Sequence, residues 1–233
     1  MTALVSLEGI QKSFRRGPEV VNALKGVHLS LLPGQVCAIV GPSGSGKSTL
    51  LNVIAGWETP DSGVVLWKDE PRNPIELGWE TISLVPQRLG LLEDLTVLEN
   101  IELPLVLAGT DQAEVTSRSG PVLEALDLVD LADRLPAETS LGEQQRACIA
   151  RSLVIDPELL LADEPTGNQD HARERKVLTA FRAAALKGAT CLIATHNPEV
   201  MSHCDRVVTM HDGEIVSDEV QAYSPWARSG RER

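Results

Sequence analysis

Residues 36–54 read as a short apolar strand, a glycine-rich loop and a helix in direct succession, and that order restricts the fold more than any other feature. Val36-Cys37-Ala38-Ile39-Val40 is an unbroken apolar run, as a parallel strand buried on both faces requires. Gly41-Pro42-Ser43-Gly44-Ser45-Gly46-Lys47-Ser48-Thr49 follows and fits the phosphate-loop pattern G-x-x-x-x-G-K-[ST]. The next residues, Ser48 to Ile54, have helix-compatible apolar spacing. Each residue type in the loop has a chemical reason. Glycines let the backbone wrap closely around anionic oxygens, with successive N–H groups pointing inward. Lys47 can reach β- and γ-phosphates, and the Ser48 hydroxyl can ligate Mg²⁺. A helix starting at about Lys47 adds the positive end of its dipole. A bare Gly/Ser turn would lack the flanking strand and helix.

The chain has 233 residues, enough for one large domain or two small lobes. Hydrophobic residues are 42% and charged residues 23%, a globular, soluble composition. The longest apolar runs fall far short of the ~20 residues that span a bilayer. The first eight residues, Met1 to Glu8, have no basic start and meet an acid early, which is not a signal-peptide pattern. A cytoplasmic location is therefore expected, with any membrane role exercised through a partner. The net charge of −12 argues against nucleic acid as a partner. Cysteines at 37, 148, 191 and 204 form no C-x-x-C pair and read as reduced core thiols.

Residues 3–10 and about 20–32 read as strands joined by a turn at Arg16-Gly17-Pro18. Further strands are expected at Gly63–Trp67 and Thr81–Val85. Residues 96–135 read as mainly helical, with a helix opening at Thr96 and ending near Pro104, and helical spacing again over Val122–Leu128. Residues 142–155 make a third helix. Strand Leu159–Ala162, helix 172–186, strand Thr190–Ala194, strand Val207–Met210 and strand Glu214–Ser217 complete the order. It implies an α/β fold with a parallel core, an N-terminal β-subdomain and a helical insertion at about 88–155. Residues 218–233 read as a loosely ordered tail.

Leu159-Leu160-Leu161-Ala162-Asp163-Glu164 is an apolar strand ending in two acids. In a chain with a phosphate loop, a metal-linked carboxylate is expected there. Strand alternation would send the two side chains to opposite sides. Asp163 would then face Mg²⁺ and Glu164 the attacking water.

With these motifs in place the chain resembles the ATPase subunit of ATP-binding cassette (ABC) transporters over roughly residues 3–217. The resemblance implies a P-loop NTPase core with an antiparallel N-terminal sheet, ATP and Mg²⁺ as ligands, and a set of roles. Phe14 matches the aromatic that stacks on adenine, although alone it also reads as a core aromatic. Gln87 matches the glutamine that senses Mg²⁺ and γ-phosphate. Ser140-Leu141-Gly142-Glu143-Gln144-Gln145-Arg146 matches the signature segment, whose Ser140 and Gly142 serve the nucleotide of the opposite subunit. Asp163 and Glu164 match the metal-linked aspartate and the catalytic glutamate. Gly167-Asn168-Gln169-Asp170 matches the dimer loop, and His196 the switch histidine. The implied partners are a second ATPase subunit, identical or not, and transmembrane permease subunits. Residues 162–168 and 95–105 are similar to the group of lipoprotein-release, macrolide-efflux and cell-division ATPases. Arg88, Leu89, Leu91 and Leu92 are the candidate contact to a membrane partner.

Thr139 stands where the family signature leads with leucine, and two further positions depart from the pattern. Leu141 stands where the signature has its first glycine, and Gln169 where the dimer loop has leucine. Both serve the opposite site, which suggests pairing with a different ATPase subunit. A regulatory, weakly hydrolysing subunit is the alternative that Leu141 favours, while Glu164 and His196 count against it. A soluble ABC ATPase acting on DNA or ribosomes would need a coiled-coil insertion, a zinc module or tandem cassettes, for which 233 residues leave no room.

Overall fold

The computed structural model describes residues 2–167 and 169–221. Two sheets organise it. The first is antiparallel, in the order β2 (Glu19–Leu31), β1 (Val5–Arg16), β4 (Ser62–Trp67), β5 (Glu70–Pro71). The second has the order β10 (Glu214–Val220), β9 (Arg206–His211), β3 (Val36–Val40), β8 (Thr190–Ala194), β7 (Leu159–Asp163), β6 (Ile82–Val85). Its pairs are parallel from β9 through β6, and only β10 runs antiparallel to its neighbour. The helices are α1 (Lys47–Ile54), α2 (Val97–Leu107), α3 (Gln112–Ala125), α4 (Leu141–Leu153), α5 (His171–Leu186) and α6 (Pro198–Ser202).

β3, β7 and β8 are buried along their whole length, which is why they read as continuous apolar runs. Their alternating side chains feed two cores. Val36, Ala38, Leu160, Ala162, Cys191 and Ile193 pack with the apolar faces of α2, α4 and α5. Cys37, Ile39, Leu159, Leu161, Leu192 and Ala194 pack on the other side with α1 and the antiparallel sheet. The P-loop NTPase architecture, its N-terminal antiparallel sheet and its inserted helices are therefore all present. All four cysteines are buried free thiols. Burial pushes the Cys37 and Cys191 thiols up to about 12, which keeps them inert.

Three local expectations change. α2 does not end near Pro104 but passes through it to Leu107. The missing N–H of Pro104 forfeits one helical bond. Burial of Val97, Ile101 and Leu105, together with a capping box between Thr96 and Glu99, outweighs that loss. The helical pattern at 122–128 stops earlier, because Asp127 takes a left-handed φ of 54° after α3. β10 continues through Val220, so residues 218–220 belong to the sheet. The rest of the expected tail, 222–233, lies outside the described residues.

Candidate nucleotide site

The phosphate loop leaves the C-terminal end of β3 and runs into α1. Gly46 stands at the N-cap with φ 102°. Two of its glycines are fixed by the protein's own scaffold. A Cβ on Gly41 would lie 2.1 Å from the Met210 carbonyl oxygen of β9, and one on Gly46 would lie 2.4 Å from the Ala23 carbonyl oxygen of β2. Gly44, also at positive φ, faces open space. Gly44 thus leaves room for a ligand, while Gly41 and Gly46 let the loop seat against β9 and β2. The turn at Gly213 braces the loop from below, its N–H donating to the Ser45 carbonyl at 3.1 Å. Ser45 is buried, and its Oγ has no hydrogen-bond partner among the described residues.

Lys47 Nζ donates to the carbonyls of Gly41 (2.8 Å) and Pro42 (3.1 Å). The Ser48 hydroxyl hydrogen-bonds the Asp163 carboxylate, which stands at the end of β7. Burial raises the Asp163 pKa above the usual carboxylate range. The Ser48 hydrogen bond opposes that shift, the neighbouring Glu164 adds to it, and Lys47 opposes it.

Glu164 does not follow the strand alternation expected for it. β7 ends at Asp163, and Glu164 adopts a left-handed φ of 51°. The backbone turn brings both carboxylates to one cavity instead of to opposite sides. Glu164 is held firmly there. Its N–H donates to the Ala194 carbonyl at 2.9 Å, and its own carbonyl accepts from Gln145 Nε2 at 2.9 Å. Its carboxylate lies 2.7 Å from His196 Nδ1 and accepts from the Thr195 hydroxyl at 3.3 Å. Thr195 and Gln145 are functional neighbours that single-residue reading missed, although both lie inside motif segments.

The cavity has a volume of about 690 Å³ and is lined by Phe14, Lys47, Ser48, Gln87, Asp163 and Glu164, with Ser43, Gly44, Gly46 and Thr49. Val21 and Ala23 of β2 complete the wall on the Phe14 side, a contribution that no motif announced. Phe14 is 40% exposed, so it is not the core aromatic that its residue type alone also allowed. Lys12 Nζ lies 5.4 Å from its ring centroid.

Ser140, Gly142 and Asp170 stand outside this cavity. Ser140 caps α4 in a reciprocal box with Glu143: its N–H and hydroxyl donate to Glu143 Oε2 at 2.7 and 2.8 Å. Leu141 opens α4 and is 56% exposed. Asp170 caps α5, accepting from the Arg173 N–H at 2.9 Å and pairing with its guanidinium.

The donor set fits a magnesium nucleotide. Hard oxygens from Ser48 and Asp163 suit Mg²⁺, which takes one or two protein ligands and draws the rest from phosphate and water. No cluster of three or more His, Cys, Asp or Glu able to hold a metal occurs among the described residues.

The family model for "ABC transporter" matches residues 24–167. The chain belongs to the ABC transporter family. It is an ATP-binding and ATP-hydrolysing subunit of that family. It is 39% identical over 220 residues to the lipoprotein-releasing system ATP-binding protein LolD of Novosphingobium aromaticivorans, covering 91% of this chain and 98% of that protein. It is 37% identical over 221 residues to the macrolide export ATP-binding/permease protein MacB 2 of Aeromonas hydrophila, covering 92% of this chain but only 34% of that longer protein. Among solved structures, the dimeric structure of MJ0796, a bacterial ABC transporter cassette, superposes with a TM-score of 0.88 at 32% identity, covering 94% of this chain and 100% of that one.

A second depression lies between the core and the helical insertion, about 480 Å³ in volume. Trp57, Ile75, Trp79, Leu103, Leu107 and Arg151 are among its walls. The stretch after Gln87 is fastened down beside it. Arg151 donates to the carbonyls of Gly90 (2.9 Å) and Leu89 (3.0 Å), and Leu89 and Leu91 pack against the core. No helix among the described residues is long and apolar enough to cross a membrane.

Proposed function

We propose that the cavity takes ATP with Mg²⁺ and that two ATPase subunits close over two nucleotides to drive a membrane partner. One observation carries this reading. The ends of β3 and β7 bring Lys47, Ser48, Asp163 and Glu164 to one cavity of nucleotide size, and His196, just past β8, lies 2.7 Å from the Glu164 carboxylate. Phe14 stacks on adenine. The loop from Gly41 to Thr49 cradles the phosphates with backbone N–H groups, and Lys47 leaves its carbonyl partners for the β/γ oxygens. Ser48, Asp163 and Gln87 would hold Mg²⁺, which supplies charge neutralisation between β- and γ-oxygens when bound. Glu164 takes the proton of the attacking water, and His196, already 2.7 Å from it, contacts the γ-phosphate.

Ser140 and Gly142 serve the nucleotide of the opposite subunit, and Asp170 holds the dimer loop at α5. The structure of MJ0796 as a dimer supports the sandwich. The LolD and MacB likenesses support a transmembrane permease partner and a place at the cytoplasmic face of the membrane. The groove between core and insertion is the docking surface this reading favours, because its walls come from both parts. Trp57 and Leu107 are exposed there; of the stretch expected to meet a membrane partner, Arg88 and Leu92 are exposed and Leu89 and Leu91 partly buried. The ATPase domain runs from residue 1 through β10, with its helical insertion at about 88–155.

Glu164→Gln tests the assignment. ATP binding should persist, turnover should fall about 10²–10⁴-fold, and the chain should elute as a dimer with ATP. Turnover equal to that of the parent would remove Glu164 as the base.

A further inference from the structure

Gln169, which departs from the family pattern, hydrogen-bonds into the turn that begins at the other altered position, Leu141. Gln169 Nε2 donates to the Gly142 carbonyl at 2.7 Å, in the first turn of α4, one residue past Leu141. Its Oε1 accepts from Arg146 Nη1 at 2.9 Å. Arg146 is only 2% exposed, and its Nε donates to the Leu126 carbonyl at 2.9 Å, just past α3. A leucine at 169 could make neither bond of the glutamine. Three neighbours in sequence, Gly142, Gln145 and Arg146, therefore bind the 164–169 loop directly, since Gln145 donates to the Glu164 carbonyl.

We propose that Gln169 is a positioning residue that clamps the first turn of α4 to the loop carrying Glu164, so that the surface offered to the opposite nucleotide and the chain's own hydrolytic centre move as one body. The chemistry favours a clamp over incidental packing. Beside its helical bond in α4, the Gly142 carbonyl accepts most closely from Gln169 Nε2 at 2.7 Å, with Arg146 Nη1 farther off at 3.4 Å. The amide also places its acceptor on a buried guanidinium, so one side chain satisfies both partners. Leu141, largely exposed, contributes little packing to hold that turn. With a bulkier residue at the first signature position, the backbone of Gly142 is steadied from the other side. The inference rests on the roles given above to Glu164 and to the signature segment.

Gln169→Glu is the primary test, in the full chain with its membrane partner. It is isosteric and keeps an acceptor for Arg146, so the buried guanidinium stays paired. It replaces the donor to the Gly142 carbonyl with a carboxylate oxygen. Hydrogen exchange of the Glu143 and Gln144 amides in the nucleotide-free chain should quicken about five- to tenfold. kcat should fall about five- to tenfold, while the affinity of the isolated chain for nucleotide stays within about twofold. Gln169→Leu should slow turnover at least as much. Unchanged exchange in Gln169→Glu would overturn the clamp, as would a loss of nucleotide affinity that parallels the loss of kcat. A parent complex that does not hydrolyse ATP would overturn the reading of Glu164, and the exchange measurement would still decide the clamp.

Discussion

The half of the molecule that holds its own nucleotide and the half it presents outward are built on different footings. The first sits on the ends of β3, β7 and β8, strands with no exposed residue. Its geometry is dictated from beneath: Gly41 against Met210, Gly46 against Ala23, Glu164 pinned by Ala194 and Gln145. The second is one helix N-terminus, Ser140 to Gly142, held by a capping box and by Gln169. Its residues face away from the chain's own cavity. Substitution in the first half disturbs packing that the fold depends on. Substitution in the second costs the core little and bears chiefly on the surface offered to another subunit. The departures at Leu141 and Gln169 fall in the second half, where the fold tolerates them.

Asp163→Asn should break the comparison most sharply, because it sets function against stability at one position. Turnover with Mg²⁺ should drop by about 100-fold or more, if the charge proposed to face the metal is lost. The nucleotide-free chain should nevertheless melt higher. Burial raises the Asp163 pKa, so folding disfavours the ionised carboxylate. For a raised acid, the stability is fully present below the ordinary carboxylate range and is lost as pH rises through the folded value. The gain from asparagine should therefore be seen at pH 7, in chelator, and shrink towards pH 4. A variant that melts lower at pH 7 would show that the Ser48 hydrogen bond outweighs the burial.

That one position also shows what a sequence can disclose. Asp163 and Glu164 were legible as candidates for the cavity they now line because an apolar run ending in acids beside a phosphate loop has few other uses. Their arrangement was not legible. Strand periodicity sent them to opposite sides, and a single residue in the left-handed region reversed that. Val36–Val40 and Thr190–Ala194 were legible to the residue, being strands whose two buried faces leave no ambiguity. The course of α2 through Pro104 was not, since local rules end a helix there and tertiary burial carries it on. The meeting of Gln169 with Gly142 and Arg146 was equally hidden, because 23 residues separate the glutamine from the arginine.

Lys47→Ala probes the inner half by ligand alone. Its ammonium makes two bonds to backbone carbonyls, and the loop keeps its seat against β2 and β9 without them. The melting temperature should change little, while ATP affinity falls about 10–100-fold, as for the loss of a charged hydrogen bond. Equilibrium binding of a fluorescent ATP analogue measures it. Unaltered affinity would place the phosphates elsewhere.

Leu141→Gly gives the smallest effect and bears on the outer half. A glycine at the start of α4 relaxes the backbone and removes a side chain that stands mostly in solvent, so no core contact is lost. Stability should fall only slightly, by less than about 1 kcal/mol, the usual cost of glycine in a helix. If the outward surface limits the chain alone, its turnover should rise about two- to fivefold, a lesser change than the removal of a full transition-state donor. With a second ATPase subunit whose signature keeps its glycine, the same substitution should matter less, because only one of the two composite sites uses Leu141. Steady-state ATPase assays of the chain alone and of the paired complex separate these cases. Robust turnover by the chain alone, unchanged by Leu141→Gly, would show that Leu141 is a tolerated variant and that the two halves of the molecule are equally competent.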